Sequence, residues 1–190
     1  MALIFVTGND HKFLEAKVLA SLFGIEIVQE KTGYTEIQSD SLEEIVRRGV
    51  REVSSKLGAA CFVEDAGLFV HRLGGFPGPY SKYVFLTIGN AGILRLLEGM
   101  NDRRAEFRSV VGYCEPEGDP VLFVGVCPGK ISTEARGDKG FGFDPIFEPE
   151  DGGGKTFAEM DVGEKNKFSH RGRALRAFME WFKGREIREI

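Results

Sequence analysis

A chain of 190 residues with 42% hydrophobic and 28% charged residues and a formal net charge of −4 is large enough for one fair-sized core, and its charge disfavours a duplex nucleic-acid binder, which is usually basic. Three cysteines, Cys61, Cys114 and Cys127, form no C-x-x-C pair, which argues for a reducing compartment and against a disulfide framework or a zinc site. No apolar stretch approaches the ~20 residues needed to cross a bilayer, and MALIFVTGND lacks the basic start and long apolar region of a secretion signal, so a cytoplasmic protein with no membrane partner is expected.

The predicted elements follow in chain order. LIFVT (3–7) reads as a buried strand, and residues 10–23 as a helix with Leu14, Val18 and Leu22 in one stripe and Leu19 and Phe23 beside it. Gly24 is a stop signal and IEIV (25–28) a second strand, which makes a βαβ unit. Ser41 and Glu44 have capping-box spacing, and the helix they open runs to about Leu57 with Leu42, Ile45, Val46, Val50, Val53 and Leu57 inward. CFVE (61–64) reads as a strand and GGFPGPYS (74–81) as a loop. A helix pair over 82–98 breaks near Gly89 and Asn90. Residues 105–131 form two strand-like runs joined by EPEGD, an antiparallel hairpin. A glycine-rich loop (136–147) returns to a short strand, EDGGGK (150–155) is a surface loop, and the last helix covers about 171–183 with Leu175, Phe178, Trp181 and Phe182 inward. No repeat or linker divides the chain, so residues 1–190 are expected to form a single α/β domain.

Five stretches carry candidate chemistry. In TGNDHK (7–12) a strand feeds a helix start, where outward N–H groups and the helix dipole favour an anion. Gly8 permits close backbone approach and Lys12 adds a cation; the plain alternative is a helix start capped by Asn9 or Asp10. The stretch is not a P-loop, because G-x-x-x-x-G-K-[ST] is missing. VEDAGLFV puts Glu64 and Asp65 at the expected end of a strand, where adjacent side chains point to opposite faces as long as the chain stays extended. Glu36, in YTEIQSD, is a further acidic candidate. Two carboxylates beside a phosphate-binding turn suit Mg²⁺, which takes oxygen ligands from one or two carboxylates, phosphates and water; solvated or capping carboxylates are the alternative. In KGFGFD (139–144), Phe141 or Phe143 can stack on a flat ligand and Asp144 can bond a ring edge or orient a cation, against a turn with core phenylalanines. EKNKFSHRGRAL gathers Lys165, His170 and Arg171 ahead of the last helix, with Ser169 as its cap. Arg171 offers a planar fork of donors, against a merely solvated basic face.

In this order, TGNDHK, VEDAGLFV, GGFPGPYSKYV, GFGFDPIF, TFAEM and SHRGRAL resemble the inosine/xanthosine triphosphate pyrophosphatases from first strand to last helix. The resemblance implies an elongated central mixed β-sheet with flanking helices and two lobes around a nucleotide-binding cleft. It implies Mg²⁺-assisted hydrolysis of ITP, dITP and XTP to the monophosphate and pyrophosphate, a small nucleotide rather than a nucleic-acid polymer as partner, and a homodimer. Carried over residue by residue, Thr7, Gly8, Asn9 and Lys12 match the phosphate-binding turn, with Asp10 and His11 of the same stretch also expected at the substrate. Glu36 and Asp65 match the metal ligands, and Asp65 also the general base. Phe141, Gly142, Phe143 and Asp144 match the base-binding loop, and Lys165, His170 and Arg171 the residues around the purine. The family usually has serine after the aspartate; here Ala66 stands at that substrate-side position and a hydroxyl is missing. A Maf-like pyrophosphatase for other nucleotides and a nucleotide-binding regulator that has lost catalysis are the competing readings.

Overall fold

The computed structural model describes residues 2–186, with side chains over 2–185. Strand β1 (Leu3–Val6) leads through helix α1 (Asp10–Leu22) to β2 (Ile27–Glu30), and helix α2 (Leu42–Leu57) leads to β3 (Cys61–Val70). After the short β4 (Pro77–Gly78) come helices α3 (Ser81–Thr87) and α4 (Gly89–Leu96), then β5 (Arg104–Cys114), β6 (Val121–Ile131), β7 (Phe147–Pro149), α5 (Val162–Asn166) and α6 (His170–Glu186). The strands make one seven-stranded mixed sheet in the order β2-β1-β3-β5-β6-β7, with β4 on β3. β1 is parallel to β2 and β3; all other pairs are antiparallel.

Helices cover both faces. On one, Leu19 of α1 and Phe178 and Met179 of α6 pack with Phe5 and Phe62. On the other, Val46, Val50 and Val53 of α2 pack with Val6, Val63 and Val110. A third apolar cluster, holding Leu68, Ile93, Phe107, Phe147 and Phe157, lies where β3, β5 and β6 run on beyond the end of β1. Because α1 and α2 lie on opposite faces, the connections leaving β1 and its parallel neighbour β2 depart to opposite faces at the carboxyl ends of these strands. Open α/β sheets form their ligand crevices at such a switch point.

The hairpin of β5 and β6, the helix pair broken at Gly89 (φ 61°) and the Ser169 cap, whose Oγ accepts the Gly172 N–H at 3.0 Å, match the expectations. Four details differ. β3 continues to Val70 rather than ending at 64, because β5 pairs with it throughout, from Cys61 opposite Cys114 to Val70 opposite Ala105. Glu64 and Asp65 therefore stand in mid-strand, beside the step where β1 has already stopped. β2 starts at Ile27, since the Ile25 N–H still closes the helix exit on the Ala20 carbonyl (3.0 Å) and Leu3 registers with Ile27. The Leu14–Val18–Leu22 stripe of α1 does not face inward. Leu14 is 49% and Leu22 74% exposed, while Glu15, Ala16, Leu19 and Ala20 are buried; the helix is turned so that Glu15 meets two buried cations. The capping box is half formed: Ser41 Oγ accepts the Glu44 N–H (3.2 Å), but the Glu44 carboxylate accepts from Ser39 Oγ (2.6 Å), and that same Oγ takes the Ser41 N–H (3.1 Å).

Candidate active site

At the carboxyl end of β1 the chain turns sharply into α1. Asn9 caps the helix, its Oδ1 accepting the N–H groups of His11 (3.0 Å) and Lys12 (3.2 Å), while Thr7 Oγ1 accepts the Asn9 N–H (3.1 Å). The capping reading is thus realised, and those two helix N–H groups are taken by the protein. A would-be Cβ at Gly8 meets nothing within 4 Å, so a ligand can approach the backbone there. The remaining attraction for an anion comes from Lys12. Asp10 is turned to Lys31 (2.9 Å), which offsets its charge, and accepts from Gln29 Nε2 (2.9 Å).

The Lys12 ammonium is fixed by Glu64, through the carboxylate (3.0 Å) and the backbone carbonyl (3.1 Å), and lies 3.7 Å from Asp65. Glu64 is fully buried and also accepts from Ser109 Oγ (2.6 Å) and faces Arg171 Nε (3.1 Å). Burial alone would raise its carboxyl, but Arg171, Lys12 and the Ser109 hydroxyl overcome it and hold it well below the usual carboxylate range. Asp65 is the opposite case: burial and its carboxylate neighbours Glu64 and Glu36 push it up against the pull of Lys12. A locked, always-charged Glu64 stands next to a carboxylate with raised proton affinity, which is the division of labour a general base requires. Ala66 donates its N–H to Asp65 Oδ1 (2.9 Å) and pairs across the sheet with Ser109.

Glu36 is exposed on the segment between β2 and α2 and lines the same cavity as Asp65. Tyr34 anchors that segment, its ring lying where a side chain at Gly49 of α2 would be. Among the described residues no three His, Cys, Asp or Glu side chains form a ready metal cluster. Glu36 and Asp65 nevertheless suit a hard cation: both are carboxylate oxygen donors lining one cavity. Two carboxylates completed by substrate oxygens are an ordinary setting for Mg²⁺.

The remaining candidates come from the C-terminal third. Phe141 lies on the His11 ring (centroids 5.2 Å, planes 19° apart), with Lys165 Nζ and the Arg171 guanidinium 5.1 and 5.3 Å from its ring centre. Phe143 lines the cavity but is buried edge-on against Phe85 (5.5 Å, 86°), so its first role is in the core. Gly142 offers its carbonyl to Asn90 Nδ2 (3.2 Å). Asp144 is buried and orients rather than reads: it accepts the Phe141 N–H (2.9 Å) and Lys165 Nζ (2.7 Å). Lys165 donates to Asp144 and Glu15 (2.8 Å) and is not among the residues lining the cavity, so it ties the loop to α1 from beneath. Arg171 does line the cavity, with Nη1 on Glu15 (2.6 Å) and Nε on Glu64. His170 stacks on Phe107 (4.5 Å, 10°), and its Nδ1 is buried with no protein partner. Burial, with Arg171 and Lys165 nearby, holds this imidazole well below its ordinary value, hence neutral.

One cavity of about 740 Å³ gathers the turn 7–12, Glu36, Glu64, Asp65, Ala66, Phe141–Asp144, His170 and Arg171, and adds Tyr34, Lys82, Phe85 and Phe107, which motif reading did not single out. Glu15 was missed too, although a carboxylate among Ala16, Leu19 and Ala20 on the buried side of a helix signals a partner cation.

Fold and site together define an open mixed α/β protein with a cavity at the switch point, furnished for an anion, a hard cation and a flat ring. The chain belongs to the Ham1 family, whose model matches residues 3–181. It is 56% identical over 183 residues to a dITP/XTP pyrophosphatase of Methanopyrus kandleri, covering 96% of this chain and 97% of that one. It is 51% identical to the dITP/XTP pyrophosphatase of Pyrococcus horikoshii, with 96% and 97% covered. Among solved structures, a HAM1 protein from Coxiella burnetii superposes with a TM-score of 0.85 at 29% identity, covering 97% of this chain and 100% of that one.

Proposed function

We propose that this chain hydrolyses the noncanonical purine nucleoside triphosphates dITP, ITP and XTP to the monophosphate and pyrophosphate, acting as one domain. The observation that carries the reading is the pairing, in one cavity, of Lys12 with Glu36 and Asp65 and of Phe141 with Arg171 and His170. That is a place for a triphosphate and a place for a purine. Near-full-length relatives named dITP/XTP pyrophosphatase support it.

In this reading Lys12 holds phosphate oxygens, and Asp65 takes the proton from the water that attacks the α-phosphorus. Glu36 and Asp65 would hold Mg²⁺, which when bound supplies charge neutralisation on the phosphate oxygens. Phe141 offers a stacking face. Arg171 lines the cavity with Nη1 held by Glu15 and Nε facing Glu64, and in this reading its guanidinium is a donor toward the base. Inosine and xanthine present a 6-carbonyl acceptor, whereas adenine presents an amino donor that would face another donor and leave both unpaired, a costly arrangement in a buried site. No helix among the described residues is long and apolar enough to cross a membrane, in keeping with a dissolved nucleotide as substrate.

The test is product identification. With dITP and Mg²⁺ the expected products are dIMP and pyrophosphate in equal amounts; dIDP and orthophosphate would contradict cleavage at the α-phosphorus.

A further inference from the structure

Among the described residues Glu64 is the one carboxylate within ion-pair distance of both Lys12 and Arg171, and the proposed function gives it no chemical step. Its Oε2 lies 3.0 Å from Lys12 Nζ, and its backbone carbonyl accepts from the same ammonium at 3.1 Å. Its Oε1 lies 3.1 Å from Arg171 Nε and accepts from Ser109 Oγ at 2.6 Å. An ammonium has three N–H donors. Glu64 takes one of those on Lys12 at its backbone carbonyl and holds the ammonium as an ion pair through Oε2, which leaves donors to turn toward Asp65, 3.7 Å away, or toward a ligand. On Arg171 it stands as an ion pair beside Nε while Glu15 accepts a hydrogen bond from Nη1, so carboxylates flank the guanidinium at both positions. Glu64 sits in the middle of β3 with β5 hydrogen-bonded alongside, so this carboxylate is carried on rigid backbone, whereas Lys12 and Arg171 stand on the first turns of two different helices.

We propose that Glu64 is a positioning residue that fixes the distance and orientation between the phosphate-end cation Lys12 and the purine-end cation Arg171, so that only a nucleotide seated correctly at both ends is held for attack. The inference rests on the functional reading above. It separates binding from turnover. Removing the Glu64 charge leaves Lys12 with Asp65, and Arg171 with Glu15, so neither cation is orphaned and the fold is retained. Losing an anion from between two cations does not weaken their attraction for phosphate. What is lost is alignment, and misalignment is felt in the rate.

Glu64→Gln, which keeps the shape, is the test. Measured against the wild-type enzyme with dITP and Mg²⁺, kcat is expected to fall about 10- to 100-fold, the size of a lost hydrogen bond to a charged group. KM for dITP and the affinity for inorganic pyrophosphate, measured by calorimetry, are expected to stay level or improve. Ser109→Ala, which loosens Glu64 without altering any charge, should give a smaller kcat loss of about two- to five-fold at unchanged KM, and it decides the matter if Glu64→Gln fails to show a cooperative melt. A Glu64→Gln enzyme with kcat within about threefold of wild type overturns the inference. So does a parallel collapse of kcat, substrate affinity and pyrophosphate affinity, which a purely structural support would produce. The functional reading fails separately, if the wild-type enzyme releases pyrophosphate from no nucleotide.

Discussion

At the scale of single residues, neighbouring carboxylates on one strand have opposite fates. Glu64 is enclosed by Lys12, Arg171 and Ser109 and kept ionised; Asp65, partly open to the cavity, is pushed up by burial and by Glu64 and Glu36. Of the two, only Asp65 has its affinity for a proton raised. Asp65→Asn is therefore expected to leave the fold intact and lower kcat by roughly 10²–10⁴-fold, the usual worth of a general base. Turnover of dITP and a thermal melt, measured on the same preparation, check this; a folded variant within tenfold of wild type would remove Asp65 from that role. Adjacent residues in VEDA gave no hint of this asymmetry, because it is created by Arg171 and Ser109, which are more than 40 positions away in the chain. Lys165 shows the converse limit: its place in a basic cluster suggested a ligand contact, yet Glu15 and Asp144 enclose it.

At the scale of elements, the placement of α6 is what brings His170 and Arg171 to the cavity. The helix crosses β6 at Gly125, where a side-chain methyl would overlap the His170 carbonyl and press on Ala174. Gly125→Ala is expected to lift the amino end of α6 from the sheet, costing about 1–3 kcal/mol by overpacking and lowering kcat/KM for dITP together with the melting temperature. A melting temperature and kcat/KM both equal to wild type would show that α6 is not held by this contact. Most elements were legible from sequence because caps, glycines and apolar spacing are local: Ser41, Gly89 and the EPEGD turn all act within a few residues. The face of α1 was not, since its leucine stripe implies one orientation and the partners of Glu15, on α5 and α6, impose another. The length of β3 was likewise invisible, being set by pairing with β5 rather than by its own residues.

At the scale of the whole molecule, a chain of opposite charges, Lys12, Glu64, Arg171, Glu15 and Lys165, ties α1, β3, α5 and α6 together. Its protonation sets how the fold responds to acid. His170 is held well below its ordinary 6.5, so the unfolded chain binds the extra proton first, and stability present above pH 6.5 is lost as pH falls below it. Glu15, held below its ordinary 4.5 by Arg171 and Lys165 against the opposing effect of burial, adds a second loss as pH falls below 4.5; Glu64 adds to it for the same reason. The melting temperature should therefore decline from pH 7 to 5 and more steeply below 4.5, with His170→Phe flattening only the upper part. A melting temperature constant from pH 7 to 5 in the wild-type protein would contradict a buried neutral His170.

The central claim is that one cavity selects a purine by its 6-carbonyl while presenting its triphosphate for cleavage. The most direct measurement is the ratio of kcat/KM for pyrophosphate release from dITP to that from dATP, two substrates that share sugar and phosphates and differ at purine position 6 and in the proton on the adjoining N1. A donor left facing the adenine amino group costs about 1–3 kcal/mol, so the ratio is expected to reach roughly 5- to 150-fold. A ratio near one, with active enzyme, would contradict the account.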